Sequence, residues 1–128
     1  MEIISVWGSP TNPHYNPDTA NNGGGYWQWE GGAVIALNGK LVVVELYDDD
    51  CGDFGSRWGF DVTAPGYCWR VTCGDADDAS IDAPEDIDAV CASIEGVLGL
   101  DIMQTICEIA PVIDEAARRQ WQALNKGA

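Results

Sequence analysis

The sequence predicts an α+β fold: an antiparallel β-meander of five or six strands, then two or three C-terminal helices packed on one sheet face. Three observations carry this expectation. Apolar residues alternate with a period of two through most of residues 26–73, as they do in half-buried strands. Asn38-Gly39, the pair preferred in a two-residue type I′ turn, separates two such runs. Beyond residue 83 the apolar period changes to that of an amphipathic helix.

Each element can be justified in order. Residues 2–7 (EIISVW) form a first strand, although Ile3 and Ile4 in succession leave its two faces hard to separate. Residues 8–25 are turn formers almost throughout and predict a long loop, of a length uncommon in compact domains. Residues 26–30 (YWQWE) alternate with Trp27 and Trp29 on one face, as core rings or as part of an exposed anchor. Residues 33–37 and 40–47 are the arms of the Asn38-Gly39 hairpin, and the second arm is apolar enough to be a central strand. Two further strands flank Ala64-Pro65-Gly66, with Trp58, Phe60 and Val62 sharing one face of the first. Tyr67, Trp69, Val71 and Cys73 share one face of the second.

A first helix is expected over residues 83–98, with Ile87, Val90, Cys91, Ile94, Val97 and Leu98 on its apolar side. Asp82 with Glu85 makes a capping box at its start, and Gly99 suits a left-handed termination. Asp101 with Gln104 makes a second capping box, opening a helix over residues 101–125 that buries Ile102, Ile106, Ile109 and Ile113. Cys107 lies slightly off that apolar centre and is expected to be part-buried, while Trp121 and Leu124 extend the buried face. Pro111 is expected to kink or restart this helix. Asp114 and Glu115 precede Arg118 and Arg119 by four residues, a spacing that supports helix.

A chain of 128 residues is about one domain long, so residues 1–128 are expected to form a single one. Its charge is unusual. Asp and Glu number 21 against six Lys and Arg, a formal net charge of −15. Solubility needs a net charge of only about 2–8 in magnitude, and the excess costs stability through self-repulsion. Direct nucleic-acid binding needs phosphate contacts from bases that are scarce here, and an anionic membrane surface would repel the chain. The favoured partners are cationic: a basic protein surface, or metal ions. Glu2 stands where a secretory signal would carry a base, and the five cysteines are an odd number, so reduced thiols in a cytoplasm, or in a host cytoplasm for a viral gene, are expected.

The acids cluster. No base occurs between Arg70 and Arg118, a stretch that holds twelve acids. The candidate partner-binding residues are Asp75, Asp77, Asp78, Asp82, Glu85, Asp88 and Glu95 in this stretch, and Asp48, Asp49, Asp50 and Asp53 in a second cluster. Glu85, Asp88 and Glu95 lie off the apolar face of the first helix, where a row of carboxylates can imitate phosphates. The segment from Asp48 to Asp53 departs from the EF-hand pattern, because its fifth position is Gly52 and its sixth is Asp53. With His14 the only histidine and no C-x-x-C pair, zinc has no ligand set, and no metal or cofactor is expected. No G-x-S-x-G or phosphate-binding glycine motif is present, so no catalytic residue is assigned.

In size, charge and its carboxylate-lined helix, the chain resembles the acidic nucleic-acid-mimic inhibitors encoded by phages, of the anti-CRISPR and anti-restriction type. The resemblance is one of overall character and rests on no shared motif. It implies a partner with a basic nucleic-acid-binding groove, such as a CRISPR effector, occupied by this chain in place of DNA. An immunity protein that neutralises a basic nuclease toxin shares the same physics. A small carbohydrate-binding module or enzyme is the alternative of a different class.

Overall fold

A computed structural model describes residues 1–10, 27–50, 56–74 and 87–125. The elements are β1 (Glu2–Pro10), β2 (Trp27–Leu37), β3 (Lys40–Asp50), β4 (Ser56–Ala64), β5 (Tyr67–Gly74), α1 (Ile87–Leu98) and α2 (Ile102–Asn125). The five strands form one antiparallel sheet in the order β1-β2-β3-β4-β5, with β3 and its Leu41–Val44 apolar run at its centre. The architecture is the α+β arrangement that the change of period predicts.

Local chemistry fixes two of the four strand pairings. Asn38 (φ 51°) and Gly39 (φ 78°) both occupy the left-handed region that a type I′ turn requires, and Leu37 therefore pairs with Lys40. Gly66 (φ 82°) follows Pro65 as the second central residue of a type II turn does, closing Ala64 onto Tyr67.

Two boundaries differ from expectation. β1 runs through Gly8, Ser9 and Pro10, which pair with Gly31, Glu30 and Trp29, so the start of the expected 8–25 loop is strand; residues 11–26 lie outside the described residues. Pro10 is tolerated because β1 is an edge strand, where a missing N–H breaks no ladder on the outer side. The runs expected at 26–30 and 33–37 belong to one strand, Trp27–Leu37, that passes through Gly31-Gly32 without a break, giving five strands among the described residues. A shift of register between Ile3 and Ser5 places the irregularity of β1 at the point where its two isoleucines adjoin.

Both helices cover the same sheet face. Ala33, Ile35, Val42, Val44, Leu46, Phe60, Val62 and Val71 alternate onto that face and are buried beneath Ile94, Leu98, Ile102, Ile109, Ile113 and Ala117. Each such aliphatic or aromatic side chain contributes about 1.5–3 kcal/mol by leaving water. α2 lies against β1 and β2, α1 lies against β5, and the helix pair bends by 93° between them. No single helix among the described residues is long and apolar enough to cross a membrane.

The helix ends follow their chemistry. Gly99 (φ 66°) terminates α1, and its N–H donates to the Glu95 carbonyl at 2.8 Å. Asp101 then caps α2, its Oδ1 accepting from the Gln104 N–H at 3.1 Å, while the Thr105 hydroxyl donates to the Asp101 carbonyl at 2.8 Å. Arg118 and Arg119 pair one turn back with Asp114 (2.8 Å) and Glu115 (2.6 Å). The expected cap at Asp82 and Glu85 lies outside the described residues.

Of the two outcomes expected at Pro111 the restart does not occur: α2 continues to Asn125, and Pro111 is exposed, so its ring and the unfilled carbonyl one turn back stay clear of the sheet. Two other expectations about α2 are corrected. Cys107 is exposed rather than part-buried, because the buried stripe runs Ile102, Thr105, Ile109, Ile113, Ala117. Leu124, at 72% exposure, lies past the end of that stripe. On α1, Val97 is likewise 41% exposed, at the margin of a face centred on Ile94 and Leu98.

Glycine allows the close approach of α2. Gly8 and Gly31 are cross-strand partners, and a Cβ on Gly8 would overlap the Ile113 carbonyl oxygen, while one on Gly31 would overlap the Trp7 carbonyl oxygen and the Ile113 side chain. Gly31→Ala is therefore expected to cost about 1–3 kcal/mol, as overpacked core substitutions do, because backbone has to move. Gly96→Ala, in α1 with open space around it, is expected to stabilise by about 0.5–1 kcal/mol. Urea-unfolding midpoints of the two variants measure both effects.

Candidate functional site

The structure distributes the acids singled out in the sequence over two elements. Asp48, Asp49 and Asp50 end β3, in register with Trp29, Gln28 and Trp27 on β2 and with Trp58, Arg57 and Ser56 on β4. Asp88 and Glu95 are exposed on α1. Asp53, Asp75, Asp77, Asp78, Asp82 and Glu85 lie outside the described residues. Trp29 is 3% exposed and belongs to the core, not to an exposed anchor. Trp69 is half-buried at the β5 edge, stacked on Tyr67 at 5.3 Å, and its Nε1–H donates to the Ser93 hydroxyl of α1 at 3.1 Å.

The sheet face turned away from the helices carries a cleft that the sequence reading did not identify. Trp7, Gly32, Glu45, Asp61 and Arg70 are successive cross-strand partners and form one row across all five strands. Ser9, Glu30, Tyr47 and Gly59 form the adjacent row. In each row an aromatic ring occupies the space that a glycine leaves. A Cβ on Gly32 would lie 2.6 Å from Trp7 Cζ2, and one on Gly59 would lie 2.5 Å from Tyr47 Cε1. The two rings wall a cavity of about 410 Å³ with Glu30, Glu45, Asp61 and Arg70 in its lining. That volume falls within the range of about 300–1,000 Å³ typical of ligand clefts.

The electrostatics of the cleft are unbalanced. Glu45 stands directly opposite Asp61, and like charges at such positions destabilise a sheet. Arg70 compensates Asp61, its Nε–H donating to Asp61 Oδ1 at 3.1 Å. No ion pair joins Glu45 or Glu30 to a base among the described residues. Among the described residues, three carboxylates of the lining thus share one guanidinium. Chemically the cleft can hold a cation between an indole face and a carboxylate, or stack a flat polar ligand on Trp7.

Trp7, Glu45 and Tyr47 were legible as strand residues, but nothing local signalled their assembly. The available signal was parity: each lies on the polar side of its strand's alternation. Comparison of the chain with protein-family models, with curated proteins and with solved structures finds no match.

Because the Asp61–Arg70 pair is solvent-exposed (side chains 31% and 75%), Arg70→Ala is expected to cost no more than about 1 kcal/mol in urea unfolding. Adding Glu45→Gln to that variant should recover part of the loss, since it removes the charge facing Asp61.

Proposed function

We propose that this chain acts by binding rather than by catalysis, as an acidic ligand for the basic nucleic-acid-binding groove of a partner protein. Phage-encoded inhibitors of CRISPR effectors or restriction enzymes are the kind of protein it resembles. The observation that carries the reading is the lack of compensation for its negative charge. Arg70, Arg118 and Arg119 are each engaged with a carboxylate. Glu30, Glu45, Asp88 and Glu95 face solvent with no ion pair among the described residues. Asp88 and Glu95 lie two helical turns apart on one face of α1, a separation of about 10 Å at 1.5 Å per residue. Three nucleotide steps along one strand of duplex DNA span about the same length. An immunity protein against a basic nuclease would use the same surface.

A second reading has a specific observation in its favour: Trp7 and Tyr47 flank carboxylates in one cleft, the composition of a sugar-binding site.

The proposed function is tested by capturing a partner from bacterial lysate on the immobilised chain and purifying it. Duplex DNA should then compete with the chain for that partner, and the association rate should fall as salt rises, because steering by opposite charge is screened beyond about 8 Å at physiological salt. Charge reversal of Asp88 and Glu95 to Lys is expected to weaken binding at least about tenfold at low salt while leaving the melting temperature unchanged or higher. Simultaneous binding of DNA and the chain, without competition, would overturn the reading.

A further inference from the structure

We infer that the cleft between Trp7 and Tyr47 is a socket for a single arginine side chain. The inference deepens the proposed function, since it rests on the reading that the partner is basic, and it names the contact that such a partner makes on the open sheet face.

The placement of charge gives the first reason. Glu45 and Asp61 are direct cross-strand partners, and among the described residues the one base paired with either is Arg70, which is bonded to Asp61 from the strand on the far side from Glu45. Glu30, one row away, adds a third carboxylate to the same lining. The site therefore has an excess of negative charge that a cation relieves, and Glu45 is the carboxylate left to receive it. Shape gives the second reason. The Trp7 ring lies across Gly32, the direct partner of Glu45, so an indole adjoins that carboxylate in the same row. Tyr47 lies across Gly59 in the adjacent row and supplies a second wall. A planar guanidinium can stack on an aromatic face and donate two parallel N–H groups to a carboxylate, which a compact ammonium cannot do. A cation within about 6 Å of an indole face is attracted by its quadrupole in addition.

The site needs both kinds of residue, and the sheet supplies them by construction. Glycines at 32 and 59 let the rings lie down, and the registers of three strand pairs put Glu45 beside them. A neutral sugar would gain the stacking surface but would leave the charge of Glu45 uncompensated.

The test titrates acetyl-Gly-Arg-Gly-amide into the isotope-labelled full chain at low salt, following the Trp7 indole N–H signal by NMR after its assignment with Trp7→Phe. The arginine peptide is expected to shift the Trp7 signal in a saturable way. The same peptide with citrulline, which keeps the shape but not the charge, should produce no shift. Glu45→Gln, an exposed position, should weaken the arginine peptide at least tenfold and leave the fold intact. If any variant fails to fold, the arginine and citrulline titrations of the unaltered chain decide the matter. Equal response to citrulline, no response of Trp7, or a response to cellotriose in place of the peptide would each overturn the socket. A silent Trp7 with DNA competition intact removes the socket alone, whereas an arginine-responsive Trp7 without competition removes the proposed function alone.

Discussion

The backbone contact between α2 and the paired glycines Gly8 and Gly31 sets the geometry of both sheet faces. With no side chain at either position, α2 comes down onto the sheet until the Ile113 carbonyl meets Gly8, and its apolar stripe reaches β1 and β2 directly. The chain then has one layer of helix on one side, and the 93° bend before α2 carries α1 across to β5 on that same side. Packing of this kind tolerates little adjustment, because interiors are as dense as organic crystals. Gly31 is followed by Gly32, which faces the other way. One dipeptide therefore admits a helix on the core face and an indole on the open face.

A face that no helix covers among the described residues is stabilised by side chains lying on the sheet, and this one uses rings laid over glycines. Trp7 over Gly32 and Tyr47 over Gly59 restore the packing area that glycine removes from a strand. Ordinary alternation would place polar residues between them, and here three of those residues, Glu30, Glu45 and Asp61, are acidic. The cleft is thus a product of two requirements, cover for the backbone and an acidic surface, meeting in the same two cross-strand rows.

The acidity has a cost wherever two carboxylates face each other, as Glu45 and Asp61 do. Along α2 each Arg is spent locally, one turn from its acid, which steadies the helix and leaves little positive charge for other surfaces. The described face of α1 has no base at all, and its Asp88 and Glu95 remain open to solvent. A surface arranged in this way carries a negative field at long range and carboxylates without ion pairs among the described residues at short range.

The sequence by itself determined the elements whose cause is local. Asn38-Gly39 and Pro65-Gly66 fixed two hairpins and their registers, the helical period fixed the buried stripes through Ile94 and Ile109, and Gly99 and Asp101 fixed the junction between the helices. The acidic row of α1 was visible because charge and helical periodicity are both read from neighbouring residues. Tertiary structure alone decided that Gly31-Gly32 continues a strand instead of breaking it, since the reason lies in Ile113 and Trp7, distant in the chain. It also decided the cleft. The β1/β2 and β3/β4 registers span connections whose length leaves pairing open, and a slip of one residue in either would turn Trp7 or Tyr47 to the opposite face. Alternation assigned each residue a parity, but only the assembled sheet could bring Trp7, Glu45 and Tyr47 to one place.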